Sequence, residues 1–417
     1  METGSSSDAA DDTQPERRGA AYRRAGPLTQ ALRPFTRTGG FYARSWGRYL
    51  NGGPELPMAR PTMMLAAQAF FDEVVLAGFR SGPPLSTNPD AVADAREAVI
   101  AATALYEQRG WLQNPEGFFA TPPPLTDITV RPVHSRGRSY ERIAFASGYE
   151  PHDGEPGRER WLGYTANSRV YGLMLRHPEP RPWLVCVHGA QMGRAAIDLA
   201  LFRAWQLHDD LGLNVVLPVL PMHGPRGRGL PPGAAFPGRN LLDDVHAAAQ
   251  SVWDIRRMLS WIRSRQPDSP IGLNGLSLGG YVSALVAELY EGLTCAILGV
   301  PVVNLVKLID RHAGLGRNDP RREVLRLAKP IGQMVSPLAL TPRLPLRGRF
   351  IYAGVADRLV HPREQVTKLW EHWGRPEIIW YEGGHVGFFR SRPVQQFVQN
   401  ALVQSGLVEA ERIGRNR

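Results

Sequence analysis

Residues 271–281 read IGLNGLSLGGY, and they place Ser277 between Gly275 and Gly279 directly after a short apolar run. The pattern is G-x-S-x-G, and the segment that follows it, GGYVSALVAELYEG, is typical of a helix. A sharp turn from strand to helix strains the backbone of the serine, and side chains two residues before and after it would collide. The stretch predicts a nucleophilic serine on a strained turn, with an ordinary glycine-rich turn as the alternative.

The segments around this turn predict a mostly parallel sheet. YERIAFAS and SRVYGLMLRH alternate as the strands of an antiparallel hairpin do, and helical segments such as 241–265 separate most of the runs that follow. Strands that alternate with helices form parallel sheets covered on both faces, and their functional loops follow the carboxyl ends of the strands. The apolar runs are WLVCVHG (183–189), NVVLPVLPMHG (214–224), IGLNGLS (271–277), TCAILGV (294–300), RFIYAGVAD (349–357) and EIIWYEGGH (377–385).

Two further residues at strand ends strengthen the interpretation of the serine. A serine nucleophile needs a base, and the base needs a carboxylate that orients it. Asp357 ends the run RFIYAGVAD, and His385 follows EIIWYEGG, so the chain order is Ser, Asp, His. We therefore predict Ser277 as nucleophile, His385 as general base and Asp357 as the orienting acid. Asp310, in the amphipathic segment NLVKLID, is the alternative acid.

At these motifs the chain resembles the α/β-hydrolase superfamily. GLSLGGY is similar to its nucleophile elbow, and GVADRLVHP and EGGHVGFF resemble the acid turn and histidine loop of the dienelactone-hydrolase and prolyl-oligopeptidase branches. CVHGAQMG (186–193) resembles the turn that supplies half of the oxyanion hole. The resemblance covers about residues 140–405. It implies that the backbone N–H groups of Leu278 and Ala190 hold the oxyanion, with Gln191 as second choice for Ala190, and that His188 supports the turn.

The resemblance implies a serine esterase that hydrolyses small-molecule carboxylic esters through an acyl-enzyme, without a cofactor or a metal. An acyltransferase or a peptidase with the same triad is the alternative, as is a non-catalytic protein that uses this fold as a binding scaffold. Gln191, His223 and Arg226 are candidates for substrate binding, although the loop 220–240 also fits a solvated basic loop.

Three residues at the start of the helix 241–265 suggest a metal site as an alternative interpretation. Asp243, Asp244 and His246 are residue types that bind metals. However, acidic residues in the first turn of a helix are ordinary partners of the helix dipole. No HExxH or paired CxxC motif accompanies them. We therefore predict no metal.

The chain divides into five predicted segments. Residues 1–26 are polar and predict a disordered tail, and residues 27–124 predict an N-terminal helical extension. Within the extension, Asn88 as N-cap and Gly110 beyond the end mark a helix whose apolar face should pack against the sheet domain. Residues 125–405 predict the hydrolase domain, and 406–417 a C-terminal tail. The stretch 304–346 predicts a small helical cap that shapes the acyl pocket, or alternatively a long crossover.

Composition excludes several other classes of function. The net charge of +10 comes almost entirely from arginine, and no nucleic-acid-binding motif is visible, so we predict no nucleic-acid partner. Cys186 and Cys295 lie in apolar runs and predict buried free thiols. The N-terminus has no apolar segment typical of a signal peptide, and the apolar stretch TMMLAAQAFFDEVVLAGF is interrupted by Asp72 and Glu73. We predict a cytoplasmic protein, and leave contact with a membrane surface and the oligomeric state open.

Overall fold

A computed structural model describes residues 27–51, 60–80, 86–135, 137–238 and 240–414. The predicted disordered tail, residues 1–26, lies outside these ranges. The strands are β1 (Thr129–Ser135), β2 (Arg138–Ala146), β3 (Arg169–Leu175), β4 (Trp183–Val187), β5 (Asn214–Pro218), β6 (Ile271–Leu276), β7 (Cys295–Gly299), β8 (Arg349–Gly354) and β9 (Glu377–Tyr381).

The α-helices surround this sheet and also form the region that precedes it. They are α1 (Pro27–Asn51), α2 (Met63–Arg80), α3 (Pro89–Gln108), α4 (Arg158–Gly163), α5 (Ala195–Leu201), α6 (Leu241–Arg265), α7 (Leu278–Leu289), α8 (Leu305–Ala313), α9 (Arg321–Leu327), α10 (Lys329–Met334), α11 (Val366–His372), α12 (Arg392–Gln404) and α13 (Glu411–Gly414). Among the described residues, no helix is both long and apolar enough to cross a bilayer.

The sheet has the strand order β1-β2-β3-β5-β4-β6-β7-β8-β9. The pairs from β5 through β4 to β9 are parallel, whereas β1, β2 and β3 pair antiparallel with one another, and β3 pairs antiparallel with β5. The hairpin predicted from the two alternating segments is confirmed by the β2–β3 pair. This architecture is the α/β-hydrolase fold, so the predicted fold class is confirmed.

Two apolar layers cover the sheet, one on each face. Val185 and Val187 of β4 belong to the layer that contains α6 and α7, whereas Leu184 and Cys186 belong to the layer that contains α5 and α12. Because both faces are covered, the central strands are continuous apolar runs, which is why they were visible in the sequence. Both cysteines are buried and free, as predicted.

Side-chain caps fix the starts of two predicted helices. The Asn240 side chain accepts hydrogen bonds from backbone N–H groups in the first turn of α6. The Asn88 side chain caps α3 in the same way. Helix α3 contacts α9 and α10, and the hydroxyl group of its buried Tyr106 donates to Glu155 at 3.3 Å. Because α9, α10 and Glu155 all belong to the predicted hydrolase domain 125–405, α3 packs against that domain, in part on its insertion 304–346.

Three segments differ from the sequence-based expectation or were not assigned. β1 contains Pro132 and a largely exposed pattern, which is tolerated because β1 lies at the edge of the sheet. α1 lies in the predicted helical extension, but its mixture of arginine and aromatic residues does not predict an individual helix. The predicted C-terminal tail begins within packed structure, because Leu407 and Val408 are buried in the layer beside α12.

Candidate active site

Ser277 lies on a strained turn between β6 and α7. Its φ of 54° and ψ of −110° are unusual for a residue with a side chain. The turn is held by a hydrogen bond from the Ser277 N–H to the Gly299 carbonyl, 2.8 Å long. A Cβ atom at Gly275 would overlap with the carbonyl oxygen of Gly279, and a Cβ at Gly279 with that of Val187. The two glycines of the motif are therefore required by close backbone contacts.

The substitution Gly279→Ala is expected to destabilise the protein, because the new methyl group can be accommodated only if α7 moves away from β4. Overpacking of this kind costs about 1–3 kcal/mol. The free energy of unfolding, measured by denaturant titration, should fall by this amount. Gly316→Ala is the matched control, since a Cβ at Gly316 has no heavy atom within 4 Å. Equal stability of the two variants would contradict this account of the turn.

Ser277, His385 and Asp357 form one continuous chain of hydrogen bonds. The Ser277 Oγ lies 3.0 Å from His385 Nε2, and His385 Nδ1 lies 2.7 Å from Asp357 Oδ2. The other oxygen of Asp357 accepts hydrogen bonds of 2.9 and 2.8 Å from the backbone N–H groups of Leu359 and Val360. Both carboxylate oxygens are thus engaged, and the carboxylate is fixed toward the imidazole.

The electrostatic environment of His385 favours its protonated form. Burial alone would lower the pKa of the imidazole, but the charge of Asp357, the hydrogen bond to it and the charge of Asp72 outweigh burial. The pKa of His385 is therefore raised above its usual value of 6.5. The negative charge around His385 therefore favours transfer of a proton from Ser277 to its imidazole.

The turn after β4 lies beside Ser277. A Cβ at Gly189 would lie 3.5 Å from the Ser277 Cβ. His188 Nδ1 donates to the Gly189 carbonyl at 2.8 Å, and Nε2 accepts from the Leu220 N–H at 3.0 Å. Burial, with the neighbouring His223, lowers the pKa of His188 to about 3, so this histidine is neutral. Both of its ring nitrogens form hydrogen bonds that stabilise the turn.

Comparison with known proteins identifies the family of the chain. No protein-family model matches it. Two proteins of Mycobacterium tuberculosis, described as uncharacterized protein MT2702 (strain CDC 1551 / Oshkosh) and uncharacterized protein Rv2627c (strain ATCC 25618 / H37Rv), are each 63% identical to it over 400 residues, which is 95% of this chain and 97% of each relative. The chain belongs to their family. The similarity includes most of the N-terminal extension.

Solved structures with a similar fold are more distant from this member of the MT2702 family. An acetyl xylan esterase from Paenibacillus sp. R4 is 16% identical, with a TM-score of 0.47, over 78% of this chain and 96% of that chain. The Pyrococcus furiosus esterase Pf2001 is 16% identical, with a TM-score of 0.41, over 68% of this chain and 96% of that chain. Because these identities and TM-scores are low, the α/β-hydrolase fold is assigned from the strand order of the sheet.

Two of the three candidate substrate-binding residues are buried in this MT2702-family protein. Arg226 has no exposed surface and forms a 2.9 Å ion pair with Asp254, so the suggestion that it binds substrate is wrong. His223 is 5% exposed, and its ring packs edge-on against the ring of His188, with 5.0 Å between the ring centres. Gln191 is exposed, with a φ of 62°, in the turn beside Ser277.

The alternative acid Asp310 and the three residues that suggested a metal site have other partners. Asp310 lies on α8, is largely exposed and pairs with Arg322 at 3.7 Å, whereas Asp357 contacts His385. Asp243 accepts from Arg160 and Tyr164, and Asp244 accepts from the Gly238 N–H. His246 Nε2 forms a 3.2 Å hydrogen bond with the Pro156 carbonyl, and its Nδ1 lies 3.3 Å from Glu155. Within the described ranges, no group of three acidic, histidine or cysteine side chains is arranged to hold a metal ion.

Two residues of α2 at this site were not predicted. Gln68 Oε1 accepts a 3.0 Å hydrogen bond from the Gly384 N–H, and Asp72 Oδ2 accepts a 2.7 Å hydrogen bond from the His385 N–H. One feature of the sequence could have indicated a role for this helix: Asp72 and Glu73 interrupt an otherwise apolar segment. Charged residues inside an apolar segment are retained where they have a partner.

Proposed function

We propose that this protein is a serine hydrolase that cleaves small-molecule carboxylic esters through an acyl-enzyme intermediate. The observation that carries the proposal is the unbroken hydrogen-bond chain from Ser277 Oγ through the imidazole of His385 to Asp357. The strained backbone of Ser277 supports the same function, because such strain directs a nucleophile out of a turn between a strand and a helix.

The first half of the reaction forms the acyl-enzyme. His385 Nε2 takes the hydroxyl proton as Ser277 Oγ bonds to the carbonyl carbon of the ester, which becomes tetrahedral. The imidazolium then gives this proton to the alkoxide leaving group as the bond between carbon and that oxygen breaks. Asp357 holds the imidazole so that Nδ1–H donates to Oδ2 and Nε2 is free to accept, and it stabilises the imidazolium.

The second half releases the acid product. A water molecule replaces the alcohol, and His385 removes its proton as the water oxygen attacks the acyl carbon. The bond from carbon to Ser277 Oγ then breaks, and Oγ regains a proton from the imidazolium. Both halves use the same base, so the arrangement needs no further titratable group.

The oxyanion of both tetrahedral intermediates is assigned to two backbone N–H groups. Leu278 is the first residue of α7, where the N–H points outward from the helix end. Ala190 follows Gly189 in the turn beside Ser277, with Gln191 as the alternative donor. Each such donor contributes on the order of 3 kcal/mol to lowering the barrier.

The helices of the insertion 304–346 are proposed to act as a cap over the acyl pocket. α8 contacts the segment after the acid, since His312 Nε2 hydrogen-bonds to the Leu359 carbonyl at 2.7 Å and Arg311 pairs with Glu364 at 2.6 Å. Leu359 itself binds Asp357 through its N–H. The insertion therefore lies close enough to the proposed acid to shape the space around the substrate.

The proposal predicts a covalent acyl group on Ser277 during turnover. p-Nitrophenyl esters of graded chain length should give a burst of nitrophenolate equal to the enzyme concentration, because acylation precedes a slower hydrolysis step. Rapid acid quenching and peptide mass mapping should find one acyl group on the peptide that contains Ser277. Transfer to an added alcohol in preference to water would indicate the acyltransferase alternative. Folded protein that shows no burst and no labelling by a fluorophosphonate would support a binding scaffold.

A further inference from the structure

The carboxylate of Asp72 links the two loops that carry the proposed acid and base. Asp72 has no exposed surface. Its Oδ2 accepts from the backbone N–H of His385 at 2.7 Å and from that of Arg358 at 3.1 Å. Arg358 is the residue after Asp357, so a single oxygen atom on α2 holds the backbone beside the acid and the backbone of the base at the same time.

Gln68 extends this contact by one helical turn. It lies four residues before Asp72, hence on the same face of α2, and its Oε1 accepts from the Gly384 N–H at 3.0 Å. A Cβ at Gly383 would lie 2.5 Å from Gln68 Oε1, and a Cβ at Gly384 would lie 2.6 Å from Asp72 Oδ2. The two glycines before His385 therefore allow α2 to approach the histidine loop closely.

Independent contacts dock the extension on the segment after the acid. Glu73, almost fully buried, pairs with the Arg358 guanidinium at 3.0 Å. The same guanidinium lies 4.9 Å from the ring centre of Phe41 on α1. Asp72 thus contacts the loops as part of a larger packed surface, which fixes the position of its carboxylate.

We propose that Asp72, assisted by Gln68, is a positioning residue that holds the Asp357 and His385 loops together for catalysis. This inference builds on the proposed function. Asp72 contacts backbone N–H groups only and does not reach the reacting atoms, so it acts through His385. Because a displacement of about 1 Å between reacting groups can cost about 100-fold in rate, two short hydrogen bonds at this point have a large effect.

The charge of Asp72 also acts on the imidazole. Burial and the nearby Asp357 raise the pKa of Asp72 to about 7, while His385 and the two backbone hydrogen bonds lower it. In turn, the negative charge of Asp72 raises the pKa of His385. The titratable and charged groups around Asp72 are Asp357 and Arg358 after β8, Tyr381 at the end of β9, His385, and Glu73 on α2.

Substitutions of Asp72 can separate the effect of its hydrogen bonds from the effect of its charge. Among the described residues, Asp72 Oδ1 has no hydrogen-bond partner, whereas Oδ2 accepts both bonds. In Asp72→Asn, the amide oxygen can occupy the position of Oδ2 and keep both hydrogen bonds, while the charge is lost. Asp72→Ala loses both the acceptor and the charge. Asp94→Asn, at an exposed position of α3, removes one charge from the same extension and is the control.

The experiment compares ester hydrolysis by full-length wild type and these variants across pH. Asp72→Ala should lower kcat by ~100-fold with KM changed less than about threefold. Asp72→Asn should regain most of kcat, and the pH at which activity falls should move lower, because the neutral side chain no longer raises the pKa of His385. Gln68→Ala should lower kcat by a smaller factor, and Asp94→Asn should match wild type. A folded Asp72→Ala with wild-type kcat would overturn the proposal.

A second measurement does not depend on activity. The pKa of His385 is followed by NMR of histidine-labelled protein, with His385→Gln used to assign the signal. A lower pKa in Asp72→Asn supports the proposal even if wild type hydrolyses no ester, and that result would reject the proposed function alone. An unchanged pKa in Asp72→Asn overturns the electrostatic part of the inference. Should Asp72→Ala fail to fold, Asp72→Asn and Gln68→Ala decide the outcome.

Discussion

Ser277→Ala is expected to lower ester hydrolysis by at least about 10⁴-fold and to abolish the burst. The reason is that alanine has no oxygen to form the acyl-enzyme, and the remaining groups of a triad contribute little without the nucleophile. Alanine keeps the Cβ, so the strained φ of 54° is no worse than in the wild type. The fold should be retained, with circular dichroism and the melting temperature close to those of wild type.

The measurement is the initial rate with p-nitrophenyl esters, together with labelling by a fluorophosphonate. Ser139→Ala, at an exposed position of β2, is the matched control and should keep full activity and labelling. If the Ser277 variant remained labelled or retained a tenth of the wild-type rate, the nucleophile would have to be another residue, and the proposed mechanism would be lost.

His385→Ala is expected to have the second large effect, a loss of about 10⁴-fold, because the variant lacks the proposed base, whose Nε2 lies 3.0 Å from Ser277 Oγ. The wild-type rate should fall as the pH is lowered, since only the neutral imidazole accepts a proton. The raised pKa of His385 sets this fall above pH 6.5. The residual rate of the variant should instead rise with the hydroxide concentration, without the fall that protonation of His385 causes in the wild type.

His134→Ala removes an exposed histidine from β1 and should leave both the rate and the pH profile unchanged. A wild-type profile that is flat between about pH 5 and 8 would contradict the assignment of His385 as the base. So would a His385→Ala variant whose rate still falls at the same pH as that of wild type, because a different group would then be titrating.

The contrast between Arg226 and Asp72 illustrates where sequence interpretation failed. Arg226 lies in a loop rich in glycine and proline, which favours exposure, yet it is fully buried against Asp254. Asp72 lies in an apolar helix before the sheet domain, yet it contacts His385 across 313 residues. Neither pairing can be inferred from neighbouring residues, because each partner is supplied by a distant element that packs there only after folding.

The sequence by itself predicted the strands from β2 to β9 and placed Ser277 and His385 at the carboxyl ends of two of them. This was possible because buried parallel strands are continuous apolar runs, and because the carboxyl ends of parallel strands lie on one side of a sheet. The strand β1 escaped prediction because Pro132 and exposed residues mask its pattern.

Only the tertiary structure decided which acid contacts the base and what holds the two loops. Asp310 and Asp357 were both compatible with the order of elements, and the choice depends on a hydrogen bond of 2.7 Å between loops at two strand ends. The role of α2 depends on how the extension docks, with Gln68 and Asp72 against the glycines before His385. Such contacts are set by the packing of whole elements, and a local pattern of residues carries no information on distances between them.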